Sequence, residues 1–293
     1  MWTNFTLQLR RSQLFVPGND ERKVKKALDL LSCDSIIFDL EDAVPPDQKQ
    51  SAREIIASAV DKISASTIGK RREFCVRVNP SDSIFHSEDI EFFKNVKAIT
   101  SIVIPKSETK YVREVHSMLP RKNLIPIIES AKGFLELEDI SKSEGVVAVS
   151  FGAADFANSV GGRVEEYTGN LYVKTHVGIV ARAYGIDPLD NVYFRISDTE
   201  GFRKEAENSR NLGYVGKQVV HPSQVDIANE VFSPSLEEIA QARKIIEVYE
   251  RSLREEGKGA LRLDEQLVDA VHYRRAKQVL EMSTAIEESV RQP

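Results

Sequence analysis

The sequence predicts an α/β protein: a (β/α)8 TIM barrel over residues 1–232, followed by a C-terminal helical extension over residues 233–293. Three observations carry that expectation. Short runs rich in valine and isoleucine recur along the chain, apolar throughout, and each ends at a polar, glycine or proline break. Such runs belong to parallel strands covered on both faces. Segments with helical periodicity separate them, and strict alternation of strand and helix implies parallel pairing through crossover helices. Eight such units in about 220 residues match the count of a closed barrel.

In order, the strand runs are LFVP (14–17), SIIFDL (35–40), FCVRV (74–78), SIVIP (101–105), LIPII (124–128), VVAVSF (146–151), VYFRI (192–196) and KQVV (217–220). The helical segments between them are 21–31, 49–62, 87–96, 108–118, 131–141, 171–184 and 199–212. An open doubly wound sheet is the alternative. It would show a glycine-rich first turn, and VPGND (16–20) holds one glycine, so no dinucleotide fingerprint is present. After Pro222 the pattern changes. A long amphipathic helix is predicted over 235–256, opened by Pro234-Ser235 with Glu237 and Glu238 in its first turn. Gly257-Lys258-Gly259 breaks it, and 264–290 reads as largely helical again. No internal repeat is visible.

Composition narrows the function. Hydrophobic residues are 41% and charged residues 29%, an ordinary globular balance. The net charge of −5 lacks the basic bias of a nucleic-acid partner. No run approaches the roughly 18 apolar residues of a membrane span. The N-terminal MWTNFTLQLRRS is too short and polar for a secretory signal, so a cytoplasmic protein is expected. Of the two cysteines, Cys33 and Cys75, the second lies in a strand run and reads as a buried thiol. No Cys/His spacing suits zinc.

In a barrel, function gathers at the C-terminal ends of the strands. The residues that follow the eight runs are Gly18 and Asn19; Asp39, Glu41 and Asp42; Arg77 and Asn79; Lys106; Glu129; Asp155; Asp198; and His221. Desolvating an unpaired carboxylate costs several kcal/mol, so the three acids after SIIF belong at the barrel mouth. Glu129 and Asp155 end adjacent strands and offer hard oxygen ligands with no Cys or His beside them. Such a pair suits Mg2+, which keeps several waters and leaves positions for substrate oxygens. The other reading is a surface glutamate and a helix-capping aspartate. Arg77 has the fork to hold a substrate carboxylate, or it pairs with Glu41 or Asp42 for structure. Asp39 reads as a partner for an arginine or a metal-bound water. His221 is a base or a strand-end cap. Lys23, Lys25, Lys26 and Lys49 read as a solvated face.

Several motifs together resemble one family. They are RSQLFVPG (11–18), IFDLEDAVPP (37–46), Lys49 with Ala52-Arg53, RVN (77–79), IPIIES (125–130), FGAADF (151–156) and GKQVVHPSQ (216–224). In order and across nearly the whole chain they resemble the citrate lyase β-subunit-like proteins, a group that includes the malyl-CoA and citramalyl-CoA lyases. The resemblance implies a TIM barrel, Mg2+ (or Mn2+), and cleavage or formation of a C–C bond beside a CoA thioester. The products would be acetyl-CoA and a 2-oxo acid, from a malyl-, citramalyl- or citryl-CoA type of substrate.

By the same resemblance the metal ligands fall on Glu129 and Asp155, and the substrate-binding arginine on Arg77. LDEQLVDA (263–270) is similar to a tail motif whose second aspartate is catalytic in a neighbouring subunit's site, which assigns Asp269. The family has glycine where this chain has Glu265 and methionine where it has Leu267. Glu41 and Asp42 would bind metal waters or orient Arg77, with Asp39 supporting them. Lys23, Lys26, Lys49 and Arg53 are candidates for the CoA phosphates, against the plain alternative of a solvated helix face. The expected partners are the CoA thioester, the 2-oxo acid and further copies of the chain in a homotrimer or hexamer, with other lyase-complex subunits as an option. Three rival readings remain: a CoA-independent pyruvate class II aldolase, a β-subunit acting on an acyl-carrier-bound thioester, and thioester hydrolysis after condensation.

Overall fold

Eight parallel strands close on themselves in the computed structural model, which describes residues 8–64, 72–255, 259–263 and 265–291. They are β1 (Ser12–Pro17), β2 (Ser35–Asp39), β3 (Glu73–Arg77), β4 (Ser101–Ile104), β5 (Asn123–Ile128), β6 (Ala148–Phe151), β7 (Asp187–Asp190) and β8 (Gly216–Val219). Each pairs with its neighbours in sequence, and β1 pairs with both β2 and β8. The predicted (β/α)8 barrel is therefore the observed fold.

Alternation along each strand sorts the core into two layers. Ile37, Cys75, Val103, Ile125, Ile127, Ala148 and Leu189 form one cluster, which fills the barrel interior. The intervening Ile36, Phe38, Phe74, Val76, Ile102 and Leu124 join the larger cluster with the helix residues Val24, Ile56, Val60, Phe93 and Val112. Both faces of the sheet are covered, which is why the strands read as unbroken apolar runs. Beneath the interior cluster, Glu73 accepts two hydrogen bonds from Arg10 at 2.8 Å and one each from the hydroxyls of Ser35 and Ser101. Burial alone would raise the Glu73 pKa, but Arg10 and the two hydroxyls outweigh it and hold the carboxyl ionised. At the start of β8, a Cβ on Gly216 would stand 1.8 Å from the Arg10 carbonyl oxygen, so only glycine fits there.

The seventh strand corrects the sequence reading. It is Asp187–Asp190 (DPLD), not the VYFRI run at 192–196. Within that run Tyr193 is buried but Phe194 and Ile196 are exposed. Asp187 is neutralised by Arg10 at 2.7 Å, and the fully buried Asp190 by Lys174 at 2.6 Å and Lys217 at 2.7 Å. Burial opposes the charge on Asp190, and the two ammonium groups overcome it and lower its pKa. Asp198 then ends no strand. It caps the helix Thr199–Asn211 by accepting the Gly201 N–H at 2.9 Å.

Residues from Ser233 onward belong to a second unit, apart from the barrel unit Arg10–Phe232. It begins with the helix Leu236–Glu255. A second correction falls here: Gln266–Asp269, inside the predicted helix 264–290, is a strand, β10, that pairs antiparallel with β9 (Ala260–Leu263). The helix Ala270–Arg291 follows. Tyr249 and Tyr273 stack at 4.7 Å between the two helices. Among the described residues no helix is long and apolar enough to cross a membrane.

Candidate active site

β2 delivers Asp39 at its last position, with the chain turning immediately after it. The Asp39 carboxylate accepts the N–H groups of Glu41 at 2.9 Å and Ala43 at 3.2 Å, folding the acidic segment back on itself. The same carboxylate takes the Arg77 fork in a two-pronged pair, Nε to Oδ1 and Nη2 to Oδ2, both at 2.7 Å. Arg77 ends β3, in register with Asp39. Its remaining amino group contacts Glu41 at 2.7 Å and lies 3.5 Å from Asp42, and its guanidinium stands 5.0 Å over the Phe15 ring. Burial disfavours the charge on Arg77, but the three carboxylates more than offset it and keep the group protonated. The acids after SIIF are thus held at the barrel mouth by one arginine.

Behind this turn lies a buried network. The Lys49 ammonium donates to the Leu40 carbonyl at 2.5 Å, the Glu41 carbonyl at 2.7 Å and Asn79 Oδ1 at 2.8 Å. Asn79 in turn donates its main-chain and side-chain N–H groups to Asp89, which accepts Arg53 Nε at 2.7 Å. Arg53 also pairs with Glu88 at 2.9 Å. Lys49 and Arg53 are both buried, which corrects both readings of them, contact with the CoA phosphates and a solvated helix face. Their charges are already committed to holding the turn and its neighbouring helix. Asp89 has no signal of its own in the sequence; it is one acid among several on an ordinary helical segment. Of the other CoA candidates, Lys23 is exposed and pairs with Asp20 at 3.3 Å, and Lys26 lies on the same exposed helix face.

Across the mouth, β5 presents Glu129, which is buried. Its Oε1 accepts the Lys106 N–H at 2.6 Å. A Cβ on Gly152 would stand 2.6 Å from both the Glu129 Cβ and its Oε2, so glycine at this position leaves the room that the carboxylate occupies. Burial, the charge on Glu41 and the charge on Asp155 push the Glu129 carboxyl up to about 8, against the Lys106 N–H, which lowers it. Asp155 itself is exposed, in the first turn of the helix Ala153–Ser159. Glu41 is likewise pushed up to about 7, first by burial and then by Asp42 and Asp39, while Arg77 pulls it down.

Carboxylates gathered in a buried place with their charges resisted are what a hard cation would relieve. Hard oxygens and the Gly152 cradle fit Mg2+. Among the described residues no three His, Cys, Asp or Glu side chains cluster as a closed metal site. Glu129 and Asp155 are the carboxylates of this end that could hold such an ion.

His221 is a cap: its ring accepts the Ser223 N–H at 3.2 Å at the start of the turn Pro222–Gln224. In the second unit, Asp269 ends β10 and accepts the Val271 N–H at 2.9 Å and the His272 N–H at 3.3 Å, with the His272 ring nitrogen at 2.8 Å. These contacts, the His272 ring first, lower its pKa and keep it ionised. Asp264 of the tail motif lies outside the described residues.

The eight-stranded barrel carries its charged groups at the C-terminal mouth, the arrangement of an α/β-barrel enzyme. The chain belongs to the HpcH/HpaI aldolase/citrate lyase family, whose pattern matches residues 11–222. A (3S)-malyl-CoA thioesterase of Cereibacter sphaeroides is 35% identical over 280 residues, 94% of this chain and 95% of its own. The mitochondrial citramalyl-CoA lyase of Rattus norvegicus is 30% identical over 301 residues, 95% of this chain and 87% of its own. Among solved structures, CitE from Mycobacterium tuberculosis in complex with magnesium, acetoacetate and coenzyme A superposes with a TM-score of 0.75. It is 26% identical and covers 93% of this chain and 97% of its own.

Proposed function

We propose that this protein is a Mg2+-dependent carbon–carbon lyase that cleaves, or forms, a 3-hydroxyacyl-CoA thioester, with acetyl-CoA and a 2-oxo acid on the other side. The observation that carries the proposal is the mouth itself: Glu129 in its glycine cradle faces a turn in which Glu41 and Asp39 flank Arg77. The likeness to a citramalyl-CoA lyase and to a magnesium- and coenzyme A-bound structure supports the substrate class. When bound, a divalent cation supplies Lewis-acid stabilisation of the oxygen charge that develops as the C–C bond breaks.

The chain's own groups would do the rest. Arg77, kept charged, lends a fixed positive field to the developing oxyanion, and Asp39 fixes its orientation. Glu41, with its carboxyl near 7, accepts the hydroxyl proton and returns it near neutral pH. The electrons of the broken C–C bond pass to the thioester's α-carbon as an enolate, and one proton is gained there as one leaves the hydroxyl. Asp269 is the group assigned to that carbon. Its ionised state fits the condensation direction, in which it takes a proton from the acetyl-CoA methyl group; in cleavage it must first be protonated. The expected partner is a second copy of the chain, in a homotrimer or hexamer.

A second reading, hydrolysis of the thioester after condensation, is favoured by the malyl-CoA thioesterase relative. One experiment separates the two. Purified protein with Mg2+ is given malyl-CoA, citramalyl-CoA and citryl-CoA, with and without EDTA. Acetyl-CoA plus one 2-oxo acid, lost on chelation, is the lyase result. Free CoA thiol with the intact hydroxy acid is the hydrolase result. Silence on all three with folded protein moves the weight to a CoA-independent aldolase or an acyl-carrier-dependent subunit.

Gly152→Ala is expected to lower Mg2+ affinity by about tenfold or more while the barrel stays folded. The added methyl must displace the Glu129 carboxylate, and overpacking of this kind costs about 1–3 kcal/mol. Mg2+ titration followed by thermal unfolding checks it. Unchanged Mg2+ affinity would remove Glu129 from the metal site.

A further inference from the structure

Lys106 is the one non-glycine residue with positive φ among the described residues, at 46°. Lysine gains nothing from the left-handed conformation, which is strained for a branched Cα without a local hydrogen-bonding side chain. Strain of this kind persists where surrounding structure enforces it, commonly at a site of function. Here the twist lets one residue act twice. Its main-chain N–H reaches Glu129 Oε1 at 2.6 Å, and its side chain brings the ammonium toward Glu41, with Nζ 3.9 Å from Oε1. That contact is long, and the side chain is 52% exposed. Arg77 is in the opposite condition: Asp39 occupies the two-pronged face of its fork, and Glu41 takes the remaining amino group. Among the described residues the mouth thus holds one committed cation, Arg77, and one available cation, Lys106.

We infer that Lys106 is a substrate-binding residue whose ammonium group pairs with the carboxylate of the 2-oxo acid, and that its left-handed backbone exists to hold that group and Glu129 in fixed relation. The inference rests on the lyase reading. CoA phosphates are the other anion this substrate carries, but they lie at the far end of the pantetheine arm, away from the reacting carbon. The Lys106 ammonium stands beside Glu41, whose partner Arg77 faces the reacting end. An acid carboxylate arriving at Glu129 meets it, and the long contact to Glu41 gives way without loss of a tight hydrogen bond.

The test uses Lys106→Asn and Lys106→Arg. Asparagine tolerates the left-handed conformation, so the N–H to Glu129 is kept while the charge is removed. Calorimetric titrations of the full chain with saturating Mg2+ use pyruvate, glyoxylate and oxaloacetate as probes, with free CoA and, separately, Mg2+ as references. Loss of a charge-assisted hydrogen bond is expected to weaken binding of the preferred acid by roughly tenfold or more in Lys106→Asn. Lys106→Arg restores most of it, and neither variant changes the dissociation constants for CoA or Mg2+. Wild-type acid affinity in Lys106→Asn overturns the assignment. So does a loss confined to CoA, which would make Lys106 a phosphate contact, or a loss of Mg2+ affinity as large as the loss of acid affinity, which would make it a backbone support only. A wild-type protein that binds none of the three acids overturns the lyase reading and this inference with it.

Discussion

Glu129→Gln is expected to reduce turnover on the order of 10²–10³-fold and to abolish the Mg2+-induced rise in melting temperature, with the metal-free protein at least as stable as the wild type. Glutamine keeps the shape of the side chain and an oxygen to accept the Lys106 N–H, so the packing around Gly152 survives. What is lost is a negative ligand. A cation's share of transition-state stabilisation is several kcal/mol, and each 1.36 kcal/mol is a factor of ten. The pH dependence follows from the direction of the shift. The Glu129 carboxyl is raised from 4.5 to about 8, so between those values the folded, metal-free state binds more protons than the unfolded chain. Its contribution to stability is full below 4.5 and is lost as pH rises toward 8. In the proposed ligand role, Mg2+ would bind the ionised form and offset the loss. The Mg2+-induced melting shift in the wild type should therefore grow from pH 6 to pH 8, and Glu129→Gln should show none at either. A shift that shrinks as pH rises would contradict the ligand role.

Arg77→Met is expected to be the most damaging single substitution at the mouth. It leaves Asp39 and Glu41, both buried, without the cation that now holds them at 2.7 Å. Breaking a buried pair by removing one partner costs about 3–5 kcal/mol. The urea midpoint should fall accordingly, and turnover should drop below detection. The loss should be smaller below about pH 7, where the stranded Glu41 carboxyl, already raised by burial, takes up a proton instead of remaining charged. The double variant Arg77→Met with Asp39→Asn separates structure from chemistry: stability should partly return and activity should not. Asp39→Asn alone keeps a hydrogen-bond acceptor for the Glu41 N–H but weakens the pair with Arg77. Full activity in that variant would remove Asp39 from the orienting role.

The two strongest sequence signals, the apolar runs and the motif order, are local, and they carried the barrel and its mouth. Ile36, Ile37 and Phe38 must be covered on both faces wherever they sit, so β2 was legible from its own five residues. Asp39 at its end was legible too, because a carboxylate cannot follow those residues into the core unpaired. β7 was not. Its two aspartates and proline look like a turn, and they become a strand only because Arg10, 177 residues away, and Lys174 and Lys217 neutralise them. The hairpin before Ala270 was hidden for a related reason: its strands are four residues each and stabilise one another, not themselves.

The sequence by itself determined that this chain is an α/β barrel with carboxylates, an arginine and a lysine at the strand ends, because burial and periodicity are written residue by residue. Only the tertiary structure decided which charges are spent and which are available. Lys49 and Arg53 look like free cations in one dimension and are buried structural ties in three. Arg77 looks like an open fork and is closed on Asp39. Lys106 reads in one dimension only as a strand-end lysine and is in three the strained residue that touches Glu129 with its backbone and faces Glu41 with its side chain. Pairing of charges is a property of distance in space, and the energy of a buried ion depends on the partner it finds there.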